Sequence, residues 1–90
     1  MTKRFTALVP QEILSALGWH NPATYAEVFD YLFEKGVVIS ICRYYDIADE
    51  MYEDGFEWEI DAKGYCGYGD TWFLCANTAI LEAIELIKRI

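Results

Sequence analysis

The sequence predicts a small α+β domain in which an antiparallel sheet packs on helices, in the order α-α-β-β-α with room for a third short strand. Three observations carry this expectation. Tyr25, Val28, Phe29, Leu32 and Phe33 recur at helical spacing behind a Thr24/Glu27 capping box. Phe56-Glu57-Trp58-Glu59-Ile60-Asp61 alternates large apolar and acidic residues without a break, which is the pattern of a half-buried strand. Between them, residues 37–45 switch to β-branched and aromatic side chains that fit a pleated surface better than a helix.

Residues 1–7 show no clear periodicity and suit a frayed end or a short edge strand. Pro10 is placed to open the first helix, where its missing N–H is harmless; Ile13, Leu14 and Leu17 then share one face and Gly18 ends the run. Trp19-His20-Asn21-Pro22 reads as the connection to the capping box. The second helix runs from there to Lys35 and Gly36, a favourable charge and a left-handed cap. Residues 37–45 form the first strand, expected to be central, and residues 46–55 connect it to the 56–61 strand. Ile47, Ala48 and Met51 leave part of that connection compatible with a helical turn.

Gly64, Gly67 and Gly69 punctuate a segment expected to be a turn or loop, with a third strand beginning around Tyr65. The tail is a long helix capped by Asp70 or Thr71. Its buried stripe is Trp72, Cys75, Ala76, Ala79, Ile80, Ala83, Ile84 and Ile87, while Phe73, Leu74 and Leu81 lie off that stripe.

Ninety residues, 54% hydrophobic and 17% aromatic, are expected to make a single domain over 1–90. A chain of this size buries about 60–65% of its unfolded surface, enough for a core without metals or crosslinks. No signal-peptide pattern and no membrane-length apolar run is present, so a cytoplasmic protein is expected. Cys42, Cys66 and Cys75 are odd in number and lack C-x-x-C spacing, which suits reduced thiols rather than a disulfide set or a zinc site. A net charge of −8 works against phosphate contacts with nucleic acid, and the few bases sit mainly at the ends, at Lys3, Arg4, Lys88 and Arg89.

Little in the chain is equipped for catalysis. His20 has no nucleophile or orienting carboxylate supplied by a motif, and a surface or loop-capping role fits it better. Cys66 lies between glycines but in acidic, aromatic surroundings that blunt a thiol. The three glycines lack the Lys and Ser/Thr of a phosphate-binding loop, and Asp70 would repel phosphate, so turn geometry accounts for them. Asp46, Asp49, Glu50, Glu53 and Asp54 miss the spacing of a calcium loop, whose sixth position needs glycine where this chain has Met51. No metal, cofactor or catalytic residue is therefore assigned.

What stands out is concentration. Eight of the fifteen acids fall between Asp46 and Asp61, and nine of the fifteen aromatics between Tyr44 and Phe73. Phe56, Trp58 and Trp72 are expected in the core, whereas the tyrosines suit either core or surface.

On its helical and strand segments the chain resembles small uncharacterised proteins carried by prophages and mobile elements of gut anaerobic bacteria. The likeness runs through residues 24–41, the aromatic-acidic middle, and a terminal helix bearing Thr71, Trp72, Cys75, Thr78, Ala83, Ile84, Leu86 and Ile87. Trp72, Cys75 and Thr78 depart from it, standing where the pattern has a tyrosine and two alanines, and Phe73 and Leu74 replace polar residues. The resemblance implies a compact α+β fold and a mobile-element origin; it implies no activity and no site.

The function expected is a non-enzymatic interaction module whose acidic, tyrosine-rich surface binds a protein partner, such as a basic host protein, with nucleic-acid mimicry as its sharper form. Its surface residues are Tyr44, Tyr45, Asp46, Asp49, Glu50, Tyr52, Glu53, Asp54, Glu57, Glu59 and Asp61. A small ligand-binding protein or enzyme, with a pocket where the Gly64–Gly69 loop meets the sheet, is the alternative. The apolar girth of the terminal helix also predicts a homodimer through Phe73, Leu74 and Leu81.

Overall fold

A computed structural model describes residues 3–44, 55–60 and 64–89 and has the expected α+β architecture, with three antiparallel strands in one sheet and four helices. In chain order these are α1 (Lys3–Thr6), α2 (Gln11–Leu17), α3 (Tyr25–Glu34), β1 (Ile39–Tyr44), β2 (Gly55–Ile60), β3 (Tyr65–Gly69) and α4 (Trp72–Lys88).

Within the first segment, Lys3–Thr6 is a helix and not the edge strand that was one expectation. It makes one helical turn and is then held against the start of α3, where the Tyr25 N–H donates to the Ala7 carbonyl at 3.1 Å and the Val9 N–H to that of Ala23 at 2.9 Å. Aromatic packing explains the turn: the Phe5 ring meets Phe29 at 5.8 Å and Trp72 at 5.4 Å, both edge-on. No periodicity within seven residues encodes contacts of that kind.

The caps follow their sequence signals. Gly18 ends α2 with φ of 76°, a conformation that costs glycine nothing. At the start of α3 the Glu27 N–H donates to the Thr24 hydroxyl at 3.2 Å, and the Glu27 carboxylate accepts from the Thr24 N–H at 3.3 Å. Thr71, rather than Asp70, caps α4 by accepting from the Leu74 N–H at 3.0 Å.

The sheet order is β1-β2-β3. Residues 37–45 were expected to contain a central strand, but β1 is an edge: β3 takes the other side of β2 and makes β2 the central strand. The register aligns Ile41, Trp58 and Gly67 across the sheet on the side facing α4. There Ile60 is fully buried and Trp58 nearly so, against the α4 stripe Trp72, Cys75, Ala76, Ala79, Ile80, Ala83 and Ile84. Val9, Ile13, Leu14, Val28 and Leu32 extend the core into α2 and α3.

The glycine-rich segment corrects a second expectation. Only Gly64 has the positive φ of a turn residue, at 73°; Gly67 and Gly69 are strand residues of β3. A Cβ on Gly67 would lie 2.6 Å from Trp58 Nε1, and one on Gly69 would lie 2.9 Å from Cys75 Sγ. These two glycines exist for close packing rather than for chain reversal.

Candidate functional site

Alternation in β2 turns Glu57 and Glu59 away from α4, toward the outer face of the sheet. The register sets their neighbours: Ser40 and Cys66 flank Glu59, and Cys42 and Tyr68 flank Glu57. Directly opposed residues on one face have Cβ atoms about 5 Å apart, so these six side chains form one patch. Ser40, Cys42, Glu59, Cys66 and Tyr68 are exposed, Tyr68 at 65%, and Glu57 is half-buried.

This is a polar surface with two carboxylates at its centre. Its chemistry is limited. Cys42 and Cys66 lie on strands either side of β2 and two residues out of step along it, more than two strand spacings or about 9.5 Å apart and too far for a disulfide. Among the described residues, no group of three or more His, Cys, Asp and Glu side chains is arranged to hold a metal ion. The third thiol, Cys75, is buried on the opposite face and donates to the Phe56 carbonyl at 3.3 Å; burial raises its pKa, so it stays protonated.

Of the surface residues expected from sequence, Glu57 and Glu59 are thus brought together on the outer face. Tyr44 lends its backbone to β1 opposite Gly55. Tyr45, Asp46, Asp49, Glu50, Tyr52, Glu53, Asp54 and Asp61 lie outside the described residues. Ser40, Cys42, Cys66 and Tyr68 join the patch only through strand register, which no local pattern in the chain encodes.

Residues Tyr65–Gly69, expected as a loop beside a pocket, are a paired strand. A hollow lies instead beneath β1, between it and α3, and another is formed by 19–23 with Glu27. In the latter His20 is exposed, and the only carboxylate, Glu27, is committed to the helix cap. It offers no assembled acid–base pair.

No protein-family model matches the chain, and no curated protein or solved structure matches it either. Nothing in these comparisons bears on the likeness to mobile-element proteins.

On α4, Phe73 is 41% exposed, Leu74 50% exposed and Leu81 half-buried. Phe73 is partly occupied by its own fold, with its ring 5.5 Å from Tyr25 and 5.4 Å from Trp72. No helix among the described residues is long and apolar enough to cross a membrane.

Proposed function

We propose that this protein is a non-enzymatic interaction module that offers the acidic outer face of its sheet to a basic protein surface. The observation that carries the reading is the placement of Glu57 and Glu59 at the centre of a sheet face that no described helix covers, beside the 65% exposed Tyr68. Carboxylates steer a basic partner at long range, and tyrosine adds rigid contact area at small entropic cost. The net charge of −8 acts in the same direction. In its sharper form the module is a nucleic-acid mimic of mobile-element origin, its carboxylates taking the place of phosphates on a host DNA-binding protein.

The test is capture of a partner from host lysate at low and high salt, with a Glu57→Lys/Glu59→Lys double variant alongside. The reading expects a partner whose retention falls as salt rises and is lost in the double variant. Retention that ignores both salt and charge reversal rejects it.

Self-association through α4 is a second reading, favoured by the exposure of Leu74 and Phe73 on adjacent positions of the helix. A two-fold contact would cover Phe73, Leu74 and Leu81 in both copies at once.

A further inference from the structure

We propose that the outer edge of β1 and the hollow beneath it form an interface with a second copy of this chain, the two β1 strands pairing antiparallel about a two-fold axis so that Arg43 of each copy meets Asp30 of the other. Neither the acidic outer face nor the exposed side chains of α4 take part.

β1 pairs with β2 on one side, and no strand among the described residues pairs with its other side. Unpaired strand edges are templates for further strands. Beneath this one lies a hollow of about 260 Å³, walled by Phe5, Phe29, Phe33, Val38, Ile41 and Trp72. Phe33 is 67% exposed, and Phe5 and Val38 are exposed beside it, so three large apolar side chains open onto the same place. One occupant can then take backbone bonds from the edge and apolar contact from the hollow together.

The charges pick the occupant, because among the described residues they are divided between the two ends of the strand. Where β1 starts, Asp30 lines the hollow with Val38 and Ile39, and Glu34 closes α3 five residues before Ile39. Lys35 turns its ammonium over the Tyr31 ring at 5.6 Å, and Tyr31 packs on Trp19; neither ring lines the hollow. Where β1 finishes stand Arg43, on the strand itself, and Arg4, whose guanidinium lies 5.2 Å from the ring of Phe56, the residue paired with Arg43. A uniformly basic or uniformly acidic segment would meet like charge at one end. A strand that carries the same two ends in reverse order meets opposite charge at both. Antiparallel pairing of two identical strands supplies that order, since a two-fold axis sets the start of each against the finish of the other.

Register follows from alternation. With Ile41 on the axis, Ser40 opposes Cys42 of the second copy on the outer face, and Ile39 opposes Arg43 of the second copy on the side of the hollow. That sets each Arg43 beside the Asp30 of the other copy. Arg43 is exposed and already engaged within its own chain, and the five donors of a guanidinium leave room for a second carboxylate. The net charge of −8 opposes association at long range, but salt screens it beyond about 8–10 Å, whereas the pairs at the edge are in contact.

Sedimentation equilibrium of the full chain, from about 1 μM to about 1 mM, should show a reversible dimer. Amide NMR shifts over the same range should move at Phe33 and residues 38–43. Asp30→Arg should weaken the dimer about tenfold or more, as should Arg43→Glu, and the two combined should return the affinity to within about threefold of the parent. Asp30 is exposed, so Asp30→Arg should melt near the parent; it also removes two units of negative charge, so general repulsion alone would predict tighter association. Leu74→Glu should leave the affinity within about twofold, which separates this interface from one built on α4. A chain still monomeric at about 1 mM overturns the proposal. So does a dimer that Asp30→Arg tightens or leaves unchanged, a double variant no tighter than either single one, or a dimer that Leu74→Glu dissociates and whose residues 38–43 do not shift.

Discussion

Trp58 and Gly67 stand opposite each other in the β2–β3 ladder, and the Trp58 indole occupies the space where a side chain of residue 67 would begin. A Cβ there would lie 2.6 to 2.8 Å from three atoms of the indole, closer than carbon contacts allow. The tryptophan covers the glycine, and the glycine lets the tryptophan lie flat on an edge strand. Gly67→Ala is therefore expected to destabilise the fold by about 1–3 kcal/mol, the usual cost of overpacking, despite alanine's ordinary φ/ψ requirements. Urea unfolding followed by Trp fluorescence measures it; an unchanged midpoint would falsify this account of β3.

Two residues six apart on α4 should respond in opposite ways to truncation. Ile80 is fully buried, so Ile80→Ala is expected to cost about 2–5 kcal/mol. Leu74 is half exposed, and Leu74→Glu should leave the melting temperature of the monomer near that of the parent. If α4 joins two copies, the same change should convert a dimer to a 10.4 kDa monomer in sedimentation at micromolar concentration. A parent already monomeric there removes the dimer.

Alkaline pH should destabilise the protein from near pH 9. Burial raises both the Cys75 thiol, from 9.0, and the Tyr25 phenol, from 10.0. Raised native values mean that the unfolded chain loses these protons first. Their stabilising effect is full below the ordinary values and is lost as pH climbs through the native ones. Thermal melts should thus be level in this respect near neutrality and decline above about pH 9, with Cys75→Ala delaying the onset. A Cys75→Ala profile that overlays the parent's would remove the thiol from the explanation.

The Tyr25 hydroxyl donates to Asn77 Oδ1 at 2.6 Å and ties α3 to α4 across fifty-two residues of sequence. Tyr25→Phe keeps the ring contacts with Phe29, Trp72 and Phe73 but leaves the amide oxygen without that donor. A loss of about 1 kcal/mol is expected. Thr24→Ala, which removes the adjacent cap, should cost about as much by itself. The pair should be less than additive if both act by fixing the first turn of α3, as a double-mutant cycle would report.

The helix signals, the α4 stripe and the β2 alternation were legible because each is local: a capping box, a 3.6-residue period and a two-residue period depend on neighbours in the chain. Phe33 shows the limit of that reading. Its spacing matches Val28, Phe29 and Leu32, yet it is exposed, because whether a face is covered depends on what packs there. Gly67 and Gly69 show it too, since turn and close-packing glycines are the same residue to a sequence. Glu57 and Glu59 were recognisable as an acidic edge of a strand, but Ser40, Cys42, Cys66 and Tyr68 become their neighbours only through register.

The sequence by itself determined the α+β class, the helix caps and the side of β2 that faces the core, because hydrogen bonding at helix ends and the alternation of a strand are properties of short segments. Tertiary structure decided that β1 is an edge, that α1 forms at all, and that a hollow opens between β1 and α3. Those outcomes depend on which elements reach one another: β3 pairs with the side of β2 that β1 leaves open, and the Phe5 ring makes its edge-on contacts with Phe29 and Trp72, twenty-four and sixty-seven residues away.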